Sequence, residues 1–393
     1  MITSKIAKHA NTAYPVIFYL FLFFSSIFCI ATRVNNLFHL TLILFVLSLC
    51  NRHHLNTLLE NSRGKGLTFI AIIIFAVYFA LSNLWGGTAT NLTSTLTHGT
   101  YLFFYVLILG SLLENTKSRQ IALLSIVAGI SVLCLYSMAT DSSQILQLRT
   151  LSASNPGPTN VIDLAGYCGV GIFIAAMLMK EQKQPLYWIP ILILLSMMML
   201  TQSRGPLISC AIAFLFTLHA KLLTPRNITA AAILALIFAA LLVFTPAGDL
   251  LLGRFEALGT QSGLRLSIWQ HTLQEVASSI WLGRGFAFDL DFINYSGEHI
   301  TTTHSVYLGA LLKGGIVGLI TLGFVILCGL VFASKKYFKD KRYETALFIY
   351  ALIFMSSQGM FIISNPRESW ILFWLPLTVV ISNSLPKNLF YTR

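Results

Sequence analysis

The 393-residue sequence predicts an all-α, polytopic membrane protein of about twelve transmembrane helices, with one large outer loop that itself contains helices. Three observations carry that prediction. Hydrophobic residues make up 56% of the chain and charged residues only 10%, against about 25% charged in an average soluble domain. Apolar stretches of about 18 residues or more recur along the chain, long enough to cross a bilayer core. Lysine and arginine alternate in abundance from one connection to the next, as membrane topology demands.

In order, the expected spans are 15–32, 37–50, 67–85, 95–113, 121–139, 161–179, 186–202, 205–219, 229–246, 304–334, 344–363 and 369–385. The first follows Lys5 and Lys8 and lacks a small-residue cleavage site, so it reads as a retained helix rather than a signal peptide. The second and eighth are short. The seventh and eighth could fold as a re-entrant hairpin, but two separate spans is the simpler reading. The tenth is the longest and contains Lys313. All twelve form one bundle over residues 1–393, and 247–303 is the large outer loop within it.

With both termini cytoplasmic, 18 of the 26 Lys and Arg residues fall on the inner side. The bias holds across the short loops and supports an even number of spans. The net charge of +12 is thereby explained by topology, and no nucleic-acid partner is expected. The six cysteines lie in or at the ends of apolar runs with no CxxC pair, so neither a disulfide framework nor a zinc site is expected. No metal or cofactor constellation is expected.

The outer side has a feature of its own. Its basic residues are all arginines, and arginine's rigid donor fork suits phosphate. Arg204 stands in "TQSRG", where the seventh span meets the eighth. Arg265 and Trp269 stand in "GLRLSIWQHTLQEVASS" of the outer loop. At 100° per residue, Leu264, Arg265, Ile268, Trp269, Thr272 and Val276 share one helix face, so Arg265 is on the apolar side. His304 opens the tenth span, with Thr303 as the expected N-cap. The three residues are expected at one membrane face and one depth. Singly, Arg204 also reads as a snorkelling side chain, Arg265 as a structural ion-pair partner of Glu275 or Asp249, and His304 as an interfacial or capping histidine. Their convergence favours function.

In the first turn of a helix and near arginines, His304 is expected to stay neutral, as a general base must. Arg284 is a further outer arginine. Asp163, which follows "SNPGPTN" at the outer start of the sixth span, could orient a partner or pair with an arginine. Lys313 is nine residues beyond His304, about 13 Å along a helix and on its opposite side. It is expected near mid-membrane, held by backbone carbonyls or facing a wet cavity. Gly314, Gly315 and Gly318 indicate close helix packing.

Four pieces in this order carry a resemblance: "TQSRG" after a span, Arg265 with Trp269 in the outer loop, "LGRGF" closing that loop, and "THSVYLGALLKGGIVGLI" opening a late span. The sequence resembles the O-antigen ligase and polymerase superfamily of bacterial inner-membrane glycosyltransferases. The motifs lie within roughly residues 150–330, and the hydropathy profile extends the likeness over the chain. Lys313 departs from the family's pattern, which often has an uncharged or acidic residue there. One dominant outer loop and a short C-terminal part resemble the ligase branch.

The resemblance implies a metal-independent transfer of O-antigen polysaccharide in lipopolysaccharide biosynthesis. The donor would be undecaprenyl diphosphate-linked glycan and the acceptor lipid A-core oligosaccharide, on the periplasmic side of the inner membrane. His304 would be the base and Arg204 and Arg265 the diphosphate ligands. Trp269, Arg284 and Asp163 would be supporting residues. An O-antigen polymerase of the same superfamily is the alternative, with a protein O-oligosaccharyltransferase behind it. A membrane transporter or lipid flippase is the rival of another class. The concentration of polar residues at one face, rather than at mid-membrane, disfavours it.

Overall fold

The computed structural model describes residues 2–87, 89–140, 156–158, 160–218, 258–294 and 297–382, with isolated positions at 143, 229, 233 and 236. The expected ninth span and residues 247–257 of the outer loop lie outside the described residues, apart from those isolated positions.

The chain is helical almost throughout. Its N-terminal half comprises α1 (Ile2–Ile27), α2 (Asn35–Ser48), α3 (Arg52–Ser62), α4 (Gly66–Leu81), α5 (Leu92–Leu112), α6 (Thr116–Thr140) and α7 (Val161–Gln182). Then come α8 (Trp188–Leu200), α9 (Arg204–Leu215), α10 (Leu258–Ala277), α11 (Val306–Phe338), α12 (Arg342–Met355) and α13 (Leu375–Ile381). The described strands are β1 (Phe292–Ile293) and β2 (His299–Ile300), a short antiparallel hairpin pairing Phe292 with Ile300.

Among the described residues, five helices are long and apolar enough to cross a membrane: Ile6–Ile27, Ala89–Leu112, Thr116–Thr140, Val161–Gln182 and Val306–Phe338. A sixth follows if Thr32–Ser48 and Arg52–Ser62, bent by 108° at their junction, count as one span. Gly66–Leu81, Pro185–Leu200, Arg204–Leu215 and Trp370–Ile381 are apolar but shorter. The outward faces of α8 and α9 carry exposed Trp188, Ile189, Leu192, Ile208 and Leu215. Such a surface is tolerable in lipid and not in water. The protein is a multi-pass membrane protein.

The centre of the bundle is α7. Asn160 caps it by accepting a hydrogen bond from the Ile162 N–H at 2.8 Å, and most of its length is buried on every side. Glycines set its approach to α12. A β-carbon on Gly169 would stand 2.2 Å from the Tyr350 hydroxyl, and one on Gly166 would stand 2.6 Å from the Phe354 ring. A second aromatic group closes the N-terminal half, where Trp370 packs on Tyr105 at 4.7 Å and on Phe38 at 5.0 Å between ring centres. One end of the bundle is closed by charge. Arg119 donates to Glu181 at 2.8 Å and to Glu344 at 3.2 Å. Lys336 donates to the Val379 carbonyl at 2.9 Å, and Lys65 pairs with Glu114.

Two expected spans change at the opposite end. The eleventh, expected at 344–363, stops at Met355, and a non-helical segment follows before a π-helical turn at Trp370–Trp374. "SSQG" interrupts the apolar run there, and the indole N–H groups of Trp370 and Trp374 pin the segment by donating to the Ser364 and Ile362 carbonyls.

The tenth, expected to begin at 304, begins at Val306 and breaks at Gly315, which has φ +61°. The break is filled by the loop from Ile280 to Gly285. Arg284 N–H donates to the Leu312 carbonyl at 2.8 Å and Gly285 N–H to the Lys313 carbonyl at 2.9 Å. In return, Ile316 and Val317 N–H groups donate to the Ile280 and Trp281 carbonyls at 2.9 and 3.2 Å. In an unbroken helix the 312 and 313 carbonyls would receive those same 316 and 317 N–H groups. The loop is thus spliced into the helix, and every backbone group freed at these four positions finds a partner.

Candidate active site

The segment from α10 to α11, expected from the sequence as the outer loop, builds the candidate site on this splice. Helix α10 lays Ile268, Thr272 and Val276 inward, and Ile268 and Val276 pack with Leu290 and Leu312. The face read from the sequence is therefore the one it buries. Arg265 and Trp269, on the same face, are half-buried. Trp269 packs against that small core, and its indole N–H is buried without a hydrogen-bond partner. Arg265 makes no ion pair with any described carboxylate. Glu275, one of its expected partners, lies 3.6 Å from Arg284 instead, and the other, Asp249, lies outside the described residues.

His304 is not in the first turn of a helix, as the sequence suggested. Ser305 is the N-cap of α11, accepting from the Leu308 N–H at 3.4 Å. Thr303, the expected cap, instead donates its hydroxyl to the Ser305 carbonyl at 2.7 Å. His304 thus precedes the cap, with its backbone in the left-handed region at φ +48°. That conformation is uncommon for a residue with a side chain and costs of order 1–3 kcal/mol. Gln202, two residues before Arg204, shares it at φ +53°.

The reason for expecting a neutral imidazole changes accordingly. Burial depresses the His304 pKa below its usual value, and the Arg265 guanidinium depresses it further. Glu298 opposes them more weakly. Burial also lowers the Arg265 pKa. A half-buried guanidinium that makes no ion pair with a described carboxylate, coupled to an imidazole whose protonated form is disfavoured, suits an anion next to a base.

Arg204 heads α9 after the buried turn Thr201–Ser203. Its neighbour Gly205 faces Ser357: a β-carbon there would stand 3.1 Å from the Ser357 hydroxyl. Two residues on, a β-carbon on Gly359 would stand 2.6 Å from the Thr302 hydroxyl and 3.7 Å from His304 Nδ1. The segment after α12 therefore runs from beside Arg204 to beside His304. Gln358, between those two contacts, is 2% exposed and its amide nitrogen has no hydrogen-bond partner. This segment was missed in the sequence because it was read as part of a span. Its signal was the polar run "SSQG" inside an apolar stretch.

The other candidates are placed elsewhere. Arg284 is held by Ser278 at 3.1 Å and Glu275, with its guanidinium 4.8 Å from the Phe288 ring centre. Asp163, 7% exposed in the first turn of α7, is in the electrostatic neighbourhood of Glu368 rather than of His304. Lys313 donates to the Phe286 carbonyl at 2.9 Å, to the Phe288 carbonyl, and to Asp289 at 3.2 Å. Carbonyls do hold it, as the sequence reading had it, and they belong to the segment between α10 and α11, close to the helix break at Gly315. Gly314 and Gly318 pack on Phe79 and Tyr78, the close approach read from the glycines. Among the described residues, no group of three or more His, Cys, Asp or Glu could hold a metal.

Comparison with known proteins bears on the same residues. A family model described as O-antigen ligase matches residues 189–323, a stretch that includes Arg204, Arg265, Trp269, Arg284 and His304. An O-antigen ligase of Pseudomonas aeruginosa is 25% identical over 330 residues, covering 79% of this chain and 76% of that protein. The chain is thus similar to an O-antigen ligase over most of its length, and its residues 189–323 match the model of that family.

Proposed function

We propose that this chain is a glycosyltransferase that moves O-antigen polysaccharide from undecaprenyl diphosphate to the lipid A-core oligosaccharide. The observation that carries the reading is the coupling of Arg265 with His304: an arginine that makes no ion pair with a described carboxylate, electrostatically coupled to a part-buried histidine whose protonated form it disfavours. The similarity to O-antigen ligases supports the donor and acceptor. In this reading the protein lies in the bacterial inner membrane with about twelve spans, both termini cytoplasmic, and residues 247–303 and the site at the periplasmic face.

His304 removes the proton from the acceptor hydroxyl as that oxygen attacks the anomeric carbon of the donor sugar. The bond from that carbon to the diphosphate breaks, and the electron pair leaves with the diphosphate. Arg204 and Arg265 neutralise the charge gathering there, in surroundings where water screens little. The residues named suffice for this step without a metal or other cofactor. Trp269 offers its indole N–H from one turn beyond Arg265. Arg284 supports the site indirectly, by fixing the loop to α10, and Asp163 supports it from the buried start of α7.

The test is the lipopolysaccharide gel pattern of a deletion strain complemented with variants. His304→Ala should abolish attachment of long chains to core with the protein present at normal levels. Arg265→Lys, which keeps the charge and loses the fork, should reduce attachment by about 10-fold or more. Full activity of His304→Ala at normal abundance would end the base assignment.

A further inference from the structure

A cavity of about 170 Å³ lies beside His304 and has no role in the mechanism above. Thr303 and Ser305, the residues on either side of His304, both line it, as does Gly359, which runs beside the imidazole. His304 itself is not among its lining residues, and neither is Arg204 or Arg265. Its one cation is Lys313, and the Lys313 ammonium is held by two backbone carbonyls and the Asp289 carboxylate. The cavity therefore offers little to a phosphate.

What it offers instead is a ring of short polar groups against an apolar wall. Thr301 and Thr302 line it, and their hydroxyls make no hydrogen bond to another described residue. The Asp289 carboxylate, 72% exposed, is available as an acceptor. Phe361 and Met360 form the apolar side. Hydroxyls and a carboxylate facing an aromatic surface suit an uncharged, polyhydroxylated ring, which has polar edges and apolar C–H faces.

We propose that this cavity seats the acceptor sugar, which rests on the glycosyl-transfer reading given above. In an in-line displacement the nucleophile approaches opposite the leaving group. A pocket without arginines beside the base, with the arginines on the diphosphate, provides that arrangement. The acceptor hydroxyl then reaches the anomeric carbon, its proton passes to His304, and the diphosphate leaves with the bonding electrons.

The test uses the full-length protein in lipid nanodiscs, with lipid A-core as acceptor and undecaprenyl diphosphate-linked glycan as donor, each varied at fixed concentration of the other. Thr302→Val removes one hydroxyl at nearly constant shape and should raise the KM for acceptor roughly three- to ten-fold, leaving the donor KM unchanged. Gly309→Leu pushes a side chain into the cavity and should prevent saturation by acceptor. A rise in donor KM would make this a donor-sugar site, and two unchanged KM values for Thr302→Val would remove the site altogether. Either outcome overturns the proposal, and Thr302→Val decides it should Gly309→Leu fail to fold. Absence of transfer by the wild-type protein would instead overturn the function proposed above.

Discussion

At the scale of single residues, His304 is defined by two unfavourable circumstances imposed on one side chain. Its backbone is held in the left-handed region, and burial together with Arg265 disfavours its protonated form. The second has a measurable sign. Between the lowered native pKa and the ordinary value of about 6.5, the unfolded chain binds a proton that the native imidazole refuses. Stability therefore rises with pH across that window and falls as pH drops through it. Catalysis by a neutral base follows the native pKa. The acid limb of kcat/KM, which reports the free enzyme, should lie below about 6.5. Removing the second cause, by Arg265→Gln, should shift that limb upward while burial keeps it below the free-imidazole value. An acid limb that stays in place in Arg265→Gln would disconnect the two residues. The same substitution should lower the maximal rate, because the guanidinium also faces the leaving diphosphate in the proposed reaction.

At the scale of elements, the exchange between α11 and the loop Ile280–Gly285 accounts for two glycine-rich motifs at once. "LGRGF" and "KGG" lie some thirty residues apart in sequence and are two halves of one joint. A β-carbon on Gly283 would stand 2.4 Å from Gly315 N and 2.6 Å from Gly314 N, and Gly283 itself has φ +70°. Gly283→Ala should therefore lower stability by at least about 2 kcal/mol, from the left-handed penalty of about 1–2 kcal/mol plus displacement of the facing backbone. Gly297→Ala is the control: its φ is +81° but nothing lies within 4 Å of the added carbon. Thermal unfolding of the two variants in detergent separates the terms, and equal losses would mean that the joint tolerates the intrusion. This joint also marks where sequence reading stopped. The buried face of α10 was legible because helical periodicity is local. The arginines and His304 stood out as candidates in the same way, since arginine on an expected outer face and histidine at the mouth of an apolar run are exceptions to a simple rule. The start of α11 at Val306, the break at Gly315 and the end of α12 at Met355 were not legible. The break is decided by hydrogen bonds from a loop some thirty residues earlier in the chain, with hydropathy running smoothly across it, whereas the start and the end turn on local hydrogen bonds at Ser305 and just after Met355.

At the scale of the whole molecule, α11 links the two ends of the bundle. Its 33 residues would reach about 50 Å as one helix, far beyond a hydrocarbon core of about 30 Å. The break at Gly315 resolves the excess. Ile316–Phe338 alone reaches about 35 Å at 1.5 Å per residue, enough to cross, so Val306–Gly314 belongs with the outer loop that is spliced to it. The far end runs into Lys335, Lys336, Lys339, Lys341 and Arg342, beside the buried cluster of Arg119 and Glu344. Basic residues concentrated there would, by the positive-inside rule, put that end in the cytoplasm and the proposed site, with Arg204 and Arg265, at the periplasmic face. Two exposed positions test it. Ile293, in the hairpin beside the site, is 67% exposed, and Phe338, at the far end of α11, is 85% exposed. In a Cys50→Ser background, which removes the exposed native thiol, Ile293→Cys should react with a membrane-impermeant maleimide in spheroplasts. Phe338→Cys should react only after the membrane is opened. The reverse pattern would invert the protein and place the site in the cytoplasm. Labelling of both positions from outside would mean that α11 does not cross, and that its break at Gly315 is the turn of a re-entrant helix instead.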